Sequence, residues 1–150
     1  MKKLNFAIFG ALLAISLATQ ALADTTIPWT KEGCESVKGT WITAHSPTDD
    51  GCDAAHCNGK NFCRSNVDMN WWSALIWCKS IGRELADIET ACPNSFASGF
   101  CANLKGNNQW MWLDGVCASG LAYVFRPKTN ELLCNSYYTP RSNEAYILCK

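Results

Sequence analysis

The clearest structural pattern in the sequence lies at residues 70–81, which read Asn-Trp-Trp-Ser-Ala-Leu-Ile-Trp-Cys-Lys-Ser-Ile. Apolar residues recur there at the i, i+3, i+4 and i+7 spacing of one helix face, and this spacing predicts an amphipathic helix. Asn70 is a suitable N-cap, and Gly82 is placed to end the helix in a left-handed conformation. A cysteine on the buried face can be bonded only to a segment against which the helix packs. The residues that share this face are Trp71, Ala74, Leu75 and Cys78.

The first 23 residues have the pattern of a secretory signal peptide. Two lysines near the start precede a short apolar stretch, and Ala21-Leu22-Ala23 offers the small-x-small pattern at which signal peptides are cleaved. The apolar stretch is shorter than the roughly 20 residues that span a membrane. We therefore expect an exported bacterial protein, in the periplasm, on the cell surface or secreted, with no membrane insertion after cleavage.

Length and charge limit the possible functions. The chain has 150 residues, so 127 follow the predicted signal peptide, which is the size of one domain. Without Lys2 and Lys3, 11 basic and 13 acidic residues remain, and no block of like charges is present. Neither a nucleic acid nor an anionic membrane surface is therefore expected as the main partner.

All ten cysteines follow the predicted signal peptide. An even number in an exported chain indicates disulfides, here up to five. The alternative is a metal site, because His45 and His56 lie near three of the cysteines. Zinc sites usually contain Cys-x-x-Cys pairs, and this sequence has none. We therefore expect disulfides, with no metal and no cofactor.

The part of the chain before the predicted helix is polar and rich in turns. We interpret residues 24–65 as a cysteine-rich extension tied to a main domain at residues 66–150. Asn58-Gly59 is a strong turn signal, so residues 57–63 predict a tight hairpin.

The rest of the chain contains helix-like and strand-like segments. Residues 83–88 indicate a short strand, and residues 89–104 a second helix that Cys92-Pro93 and Gly99 interrupt. The pattern then becomes that of β-strands separated by turns. The predicted strands cover residues 110–113, 121–126, 131–138 and 144–149, with turns at Asp114-Gly115 and 127–130.

One set of residues matches a known family in register over about residues 66–150. The helix and the segment after it resemble the first-helix signature of C-type lectin-like domains, and the chain end resembles the family's last strand. The resemblance implies an α+β fold of two helices packed on a small, mostly antiparallel, twisted sheet. It also implies a disulfide between the cysteines of the first helix and the last strand. The matching positions are Trp71, Ala74, Cys78, Gly82, Leu85, Ala86 and Ile88, then Tyr146, Ile147, Leu148, Cys149 and Lys150.

The expected disulfides use every cysteine of the chain. Cys78–Cys149 follows from the resemblance, and Cys92–Cys101 from the segment that these two residues bracket. Cys57–Cys63 would bridge the predicted hairpin, and Cys117–Cys134 would join neighbouring strands. Cys34–Cys52 is left by elimination, and the pairing among the four cysteines between residues 34 and 63 stays open.

The chain departs from the calcium-binding members of the family. Those members carry Glu-Pro-Asn or Gln-Pro-Asp in a loop and Trp-Asn-Asp on a strand, and neither motif is present. Arg126-Pro127-Lys128 places basic residues where calcium needs oxygen ligands. The resemblance is closer to compact bacterial members, including the C-terminal domains of some adhesins, and implies binding without calcium. Residues that resemble recurring positions of those members are Trp110, Trp112, Tyr123 and Arg141.

The candidate binding residues are aromatic residues and one arginine. Seven tryptophans suit stacking on sugar rings, but most are expected in the core. Trp112 is the best exception, because it precedes a predicted turn by two residues. Tyr137 and Tyr138 are adjacent on a predicted strand, so one is expected to face solvent. Arg141 either binds an anionic ligand or pairs with Glu144.

No catalytic arrangement can be assembled from the sequence, so we do not expect an enzyme. Both histidines lie in the cysteine-rich extension, and Ser95 and Ser98 lack a nucleophile-elbow context. Asp114 precedes a glycine and is interpreted as a turn residue.

Two functions are consistent with these patterns. The first is an adhesion-type binding module that presents loops and aromatic side chains to a glycan or to an envelope or host protein. The second is a structural subunit or decoration of an envelope assembly, such as a pilus or a surface layer. Fold resemblance alone does not decide between them.

Overall fold

The computed structural model describes residues 26–94, 101–104, 107–134 and 141–150. The predicted signal peptide lies outside the described residues. No helix in the described part has the length and apolar character needed to cross a membrane.

The described chain forms an α+β fold built on one mixed sheet, and it is disulfide-rich, as the sequence predicts. Three helices are present in the described ranges: α1 (Lys31–Ser36), α2 (Trp71–Ser80) and α3 (Ile88–Ala91). The six strands are β1 (Gly39–Thr43), β2 (Asn61–Ser65), β3 (Met111–Ala118), β4 (Leu121–Arg126), β5 (Glu131–Leu133) and β6 (Tyr146–Cys149). Their order in the sheet is β1-β2-β6-β3-β4-β5, with β3 and β6 parallel and the other pairs antiparallel.

Helix α2 begins and ends where the local sequence signals place it. The Asn70 side chain accepts a hydrogen bond from the Ser73 backbone N–H at 2.9 Å, and Gly82 has a φ of 71° after the last turn. Trp71, Ala74 and Cys78 are buried on the face toward the sheet. The helix therefore packs through the stripe that the apolar spacing predicts.

Two hydrophobic clusters cover the two faces of the sheet. Successive strand residues point to opposite faces, so Trp112 joins the cluster under α2, whereas Leu113 joins the other. The same alternation separates Ile147 from Leu148 on β6, and all four residues are fully buried. The central strands therefore have an apolar cover on both sides.

The structure contains the expected disulfide Cys78–Cys149, which joins α2 to β6 across 71 residues. It also contains Cys92–Cys101 and Cys117–Cys134. All ten cysteines lie in the described ranges, and none of them is free.

The two disulfides predicted within the N-terminal segment are wrong. The structure has Cys34–Cys63 and Cys52–Cys57 in place of Cys57–Cys63 and Cys34–Cys52. The cause is the strand pairing: β2 does not fold back on the Asn58-Gly59 turn but pairs with β1, so that Cys63 lies opposite Trp41.

Gly39 shows why Cys34 and Cys63 meet. A Cβ atom added at Gly39 would lie 2.5 Å from the Cys63 sulfur and 2.6 Å from the Cys34 sulfur. Contacts under 3 Å are not tolerated, so the disulfide needs a residue without a side chain at the start of β1. Helix α1 can therefore lie against β1 close enough to be bonded to β2.

Several predicted elements differ in their extent. Asp114-Gly115 is not a turn but an irregularity within β3, and the turn to β4 contains Gly120 with a φ of 74°. The predicted helix 89–104 has only α3 as its described helical part, and residues 83–88 contribute one bridge, Leu85 to Cys149. Residues 127–130 form a tight turn as predicted, here a 3-10 turn at Pro127–Thr129.

Candidate functional site

The structure contradicts the expectation that Trp112 is exposed. Its side chain is fully buried under α2, and its indole N–H donates a hydrogen bond of 2.7 Å to the backbone carbonyl of Met69. Since the turn after it is not formed at Asp114-Gly115, Trp112 lies within a strand of the sheet and cannot stack on a ligand. Tyr137 and Tyr138 lie outside the described residues.

A cleft of about 380 Å³ opens beside Trp110, at the end of the sheet where β3 and β6 begin and β4 ends. Trp110, Val124 and Ala145 supply apolar surface to it. Ser142, Asn143 and Glu144 supply polar groups from the loop that precedes β6. The cleft therefore combines an aromatic wall with hydrogen-bonding groups on one loop.

The backbone around this cleft is fixed by the sheet. The Tyr146 N–H donates to the carbonyl of Trp110 at 3.0 Å, and the Ala145 N–H donates to the carbonyl of Met69 at 3.1 Å. Backbone hydrogen bonds therefore fix Trp110 on one side of the cleft and Ala145 on the other. A ligand would meet a surface that is already formed.

Arg126 covers part of the aromatic wall. Its guanidinium lies 4.6 Å from the centre of the Trp110 ring, within the range of a cation–π contact. The Glu131 carboxylate accepts hydrogen bonds from Arg126, one of them from Nε at 3.0 Å. Hydrogen bonds from Thr129 and Arg126 hold the pKa of Glu131 below its usual value. Arg126 is thus already paired with an acid of this chain.

Arg141 is placed differently from Arg126. Its guanidinium lies 5.1 Å from the Trp71 ring centre and 5.5 Å from the Trp72 ring centre. The sequence left pairing with Glu144 as an alternative, but no ion pair to Arg141 forms within the described ranges. Its Nε atom is buried and has no hydrogen-bond partner among the described residues.

Every arginine of the chain lies over an aromatic ring. The remaining two are Arg64, 5.1 Å from the ring centre of Tyr146, and Arg83, 4.5 Å from that of Trp29. A guanidinium at such a distance gains a cation–π contact with the ring face. Each arginine is therefore held next to an aromatic side chain of the chain itself.

The two histidines pair with aspartates in the same loop. His56 Nδ1 lies 2.7 Å from Asp53, and His45 Nδ1 lies 3.4 Å from Asp49. The hydrogen bond from His56 lowers the pKa of Asp53. Among the described residues, no three histidine, cysteine or acidic side chains form a group that could hold a metal ion.

The sequence singled out Arg141 but missed most of the cleft. Trp110 is indicated only by the family resemblance, and no pattern in the sequence indicates Ser142 or Asn143. Their signal lies in their position: Trp110 directly precedes β3, and Ser142 and Asn143 lie in the loop that leads into β6. The starts of β3 and β6 lie side by side because the two strands are parallel. The parallel pairing of these strands has no local signature in the sequence, so the sequence does not predict that the two loops are neighbours.

No protein-family model matches this chain, and neither the curated proteins nor the solved structures that were compared contain a significant match.

Proposed function

We propose that this chain is an exported, C-type lectin-like recognition module that binds a glycan or a protein without calcium. The observation that carries the proposal is the cleft at Trp110, which joins an aromatic wall to three polar side chains on a fixed loop. Aromatic faces bind the apolar faces of sugar rings, and a few convergent polar groups give orientation. A volume of about 380 Å³ accommodates a small ligand group.

The arrangement around Cys78–Cys149 supports the family assignment within this proposal. The disulfide joins the first long helix to the last strand, as in C-type lectin-like domains. Helix α2 also packs through Trp71, Ala74 and Cys78, which are positions of the family signature.

The surroundings of Pro127 support binding without calcium. Arg126 and Lys128 flank this residue, and Glu131 is occupied by Arg126. Calcium is bound by six to eight oxygen ligands, typically from several carboxylates and carbonyls. The acid in this region is therefore neutralised by an arginine of the chain.

The test is a glycan array and a protein pull-down with residues 24–150, each carried out once with calcium and once with a calcium chelator. We expect Trp110→Ala to lower the affinity for the ligand so identified by about fivefold, since stacking on an aromatic ring contributes about 1 kcal/mol. Trp77→Ala is the matched control, because Trp77 is also half-buried but lies on α2, away from the cleft. Equal losses for both variants, or binding that requires calcium, would contradict the proposal.

A second function is favoured by the outer face of α2. Trp72 is 48% exposed and Ile76 is 68% exposed, and they lie four residues apart on one side of the helix. Such a pair suits a protein contact within an envelope assembly, and cross-linking in the native envelope tests it. A protein that is strictly monomeric there would argue against this second function.

A further inference from the structure

Arg126 and Arg141 offer a comparison within the same molecule. Both guanidinium groups lie over tryptophan rings. Arg126 also holds the Glu131 carboxylate, whereas no acid of the described residues pairs with Arg141. A carboxylate of the chain therefore occupies the guanidinium of Arg126, whereas no carboxylate of the described residues occupies that of Arg141.

Arg141 is held firmly in place. Its backbone N–H donates to the carbonyl of Gly120 at 3.0 Å, and its own carbonyl accepts from the Trp71 N–H at 3.1 Å. The rings of Trp71 and Trp72 meet nearly edge to face, with an interplanar angle of 76°, and form a corner that contacts the guanidinium. Since Nε is buried, the terminal nitrogens are the atoms that remain to receive a planar anion.

Trp72 distinguishes Arg141 from the other two arginines without an acid partner. It is 48% exposed, so a ligand on Arg141 can also contact an aromatic face. The rings under Arg64 and Arg83, Tyr146 and Trp29, are only partly exposed. Of these three arginines, Arg141 therefore offers the most exposed aromatic partner to a ligand that has both a carboxylate and a ring.

The position of Arg141 along the chain connects it to the cleft. Arg141 directly precedes Ser142, and Ser142 to Ala145 line the cleft, so the two features share one loop. Only the backbone spacing of consecutive residues, about 3.8 Å between Cα atoms, separates Arg141 from the first residue of the cleft lining. A saccharide of several units is therefore the class of ligand that would contact both places.

We propose that Arg141 and Trp72 form a subsite for the carboxylate of an acidic saccharide, adjacent to the cleft at Trp110. Arg141 donates hydrogen bonds to the carboxylate, and Trp72 contacts the ring that bears it. Glu144 lines the cleft itself, so an uncharged unit of the saccharide lies there and the acidic unit lies toward α2. The inference rests on the proposed function and names the class of ligand for it.

The experiment compares oligosaccharides of glucuronic, galacturonic and mannuronic acid with their carboxyl-reduced neutral counterparts. Binding to residues 24–150 is measured by isothermal titration calorimetry at low and at high salt. We expect at least one acidic member to bind about tenfold or more tightly than its neutral counterpart, because the hydrogen bonds involve an ionised acceptor. The preference should shrink in high salt.

Two arginine variants test whether Arg141 causes the preference for the acidic over the neutral oligosaccharide. We expect Arg141→Gln to remove the preference for the acidic form while leaving the affinity for the neutral form within about twofold. Arg83→Gln is the control, because Arg83 also stacks on a tryptophan and lacks an acid partner among the described residues but is distant in sequence from the cleft. Non-reducing peptide mapping of all variants verifies that the five disulfides are intact.

The outcomes separate the two proposals. Equal binding of acidic and neutral forms, or a preference that survives Arg141→Gln, overturns the acidic subsite and leaves the recognition function standing. If no acidic or neutral oligosaccharide of the set binds and the glycan array also shows no binding, the proposal of a saccharide ligand is wrong, and the proposed subsite is wrong with it.

Discussion

Asp87 links the start of α3 to the last residue of the chain. Its carboxylate accepts a hydrogen bond from the Thr90 N–H at 2.7 Å and forms an ion pair with Lys150. Partial burial by itself raises the pKa of Asp87, but the hydrogen bonds from Lys150 and Thr90 outweigh it, and the pKa lies below its usual value. An acid with a lowered pKa stabilises the folded state above its unfolded pKa, about 4, and loses this effect as the pH falls through the folded pKa.

We expect Asp87→Asn to lower the free energy of unfolding at pH 7 by less than about 1 kcal/mol, because the ion pair is partly exposed and screened by solvent. Asparagine still caps the helix, so the change removes mainly the charge. The difference from the unaltered protein should disappear as the pH falls from about 5 to about 2. Urea unfolding at several pH values measures this, and a difference that stays constant over the range would contradict the role of the charge.

Trp110 and Trp112 show how far residue-scale prediction reaches. The two residues are two positions apart at the start of β3. Successive side chains of a strand point to opposite faces, so these two point to the same face of the sheet. The sequence does not show which of the two tryptophans lies beneath α2 and which lies beyond the end of the helix. The helix covers Trp112, whose N–H bonds to Met69, and leaves Trp110 at the rim of the cleft.

Disulfides act at the scale of elements, and their effects should depend on the segment that they close. Cys78–Cys149 spans 71 residues, and the chain-entropy model gives about 4 kcal/mol for a loop of that size. Cys52–Cys57 spans five residues, and the same model gives about 2 kcal/mol. The cysteines of the first pair are both fully buried, so its replacement also disturbs the packing of α2 on β6.

We therefore expect replacement of Cys78 and Cys149 by alanine to destabilise the protein by about 2 kcal/mol more than replacement of Cys52 and Cys57. Guanidinium unfolding of the two double variants gives the comparison. Each variant removes both partners of a disulfide, so no new free thiol is created. Equal stabilities, or the opposite order, would show that the link between helix and last strand is not the main constraint.

Elements set by local signals were predictable, and those set by distant pairing were not. Asn70, the apolar spacing and Gly82 define α2 within about a dozen residues, and β4 follows from its own strand pattern. The Asn58-Gly59 signal suggested a local hairpin, whereas β2 pairs with β1 from across residues 44–60 and with β6 from the end of the chain. Both wrong disulfide assignments follow from that single missed pairing.

At the scale of the whole molecule, residues 26–65 contribute to the same sheet as the rest of the chain. β2 lies between β1 and β6, with Cys63 opposite Cys149. Phe62 is fully buried in the cluster that also contains Leu148 and Phe125. This segment therefore covers an edge of β6 that would otherwise present unpaired backbone groups to solvent.

We expect residues 66–150 alone to unfold at a lower temperature than residues 24–150 and to self-associate through the exposed edge of β6. The truncation removes Cys34, Cys52, Cys57 and Cys63, which are bonded among themselves, so it leaves no unpaired cysteine to cause the association. Thermal unfolding and light scattering at several protein concentrations measure both effects. The residues that line the cleft all lie between Trp110 and Ala145, so the truncated chain retains them. A truncated chain that stayed monomeric and equally stable would show that the rest of the sheet does not need β1 and β2 for its stability.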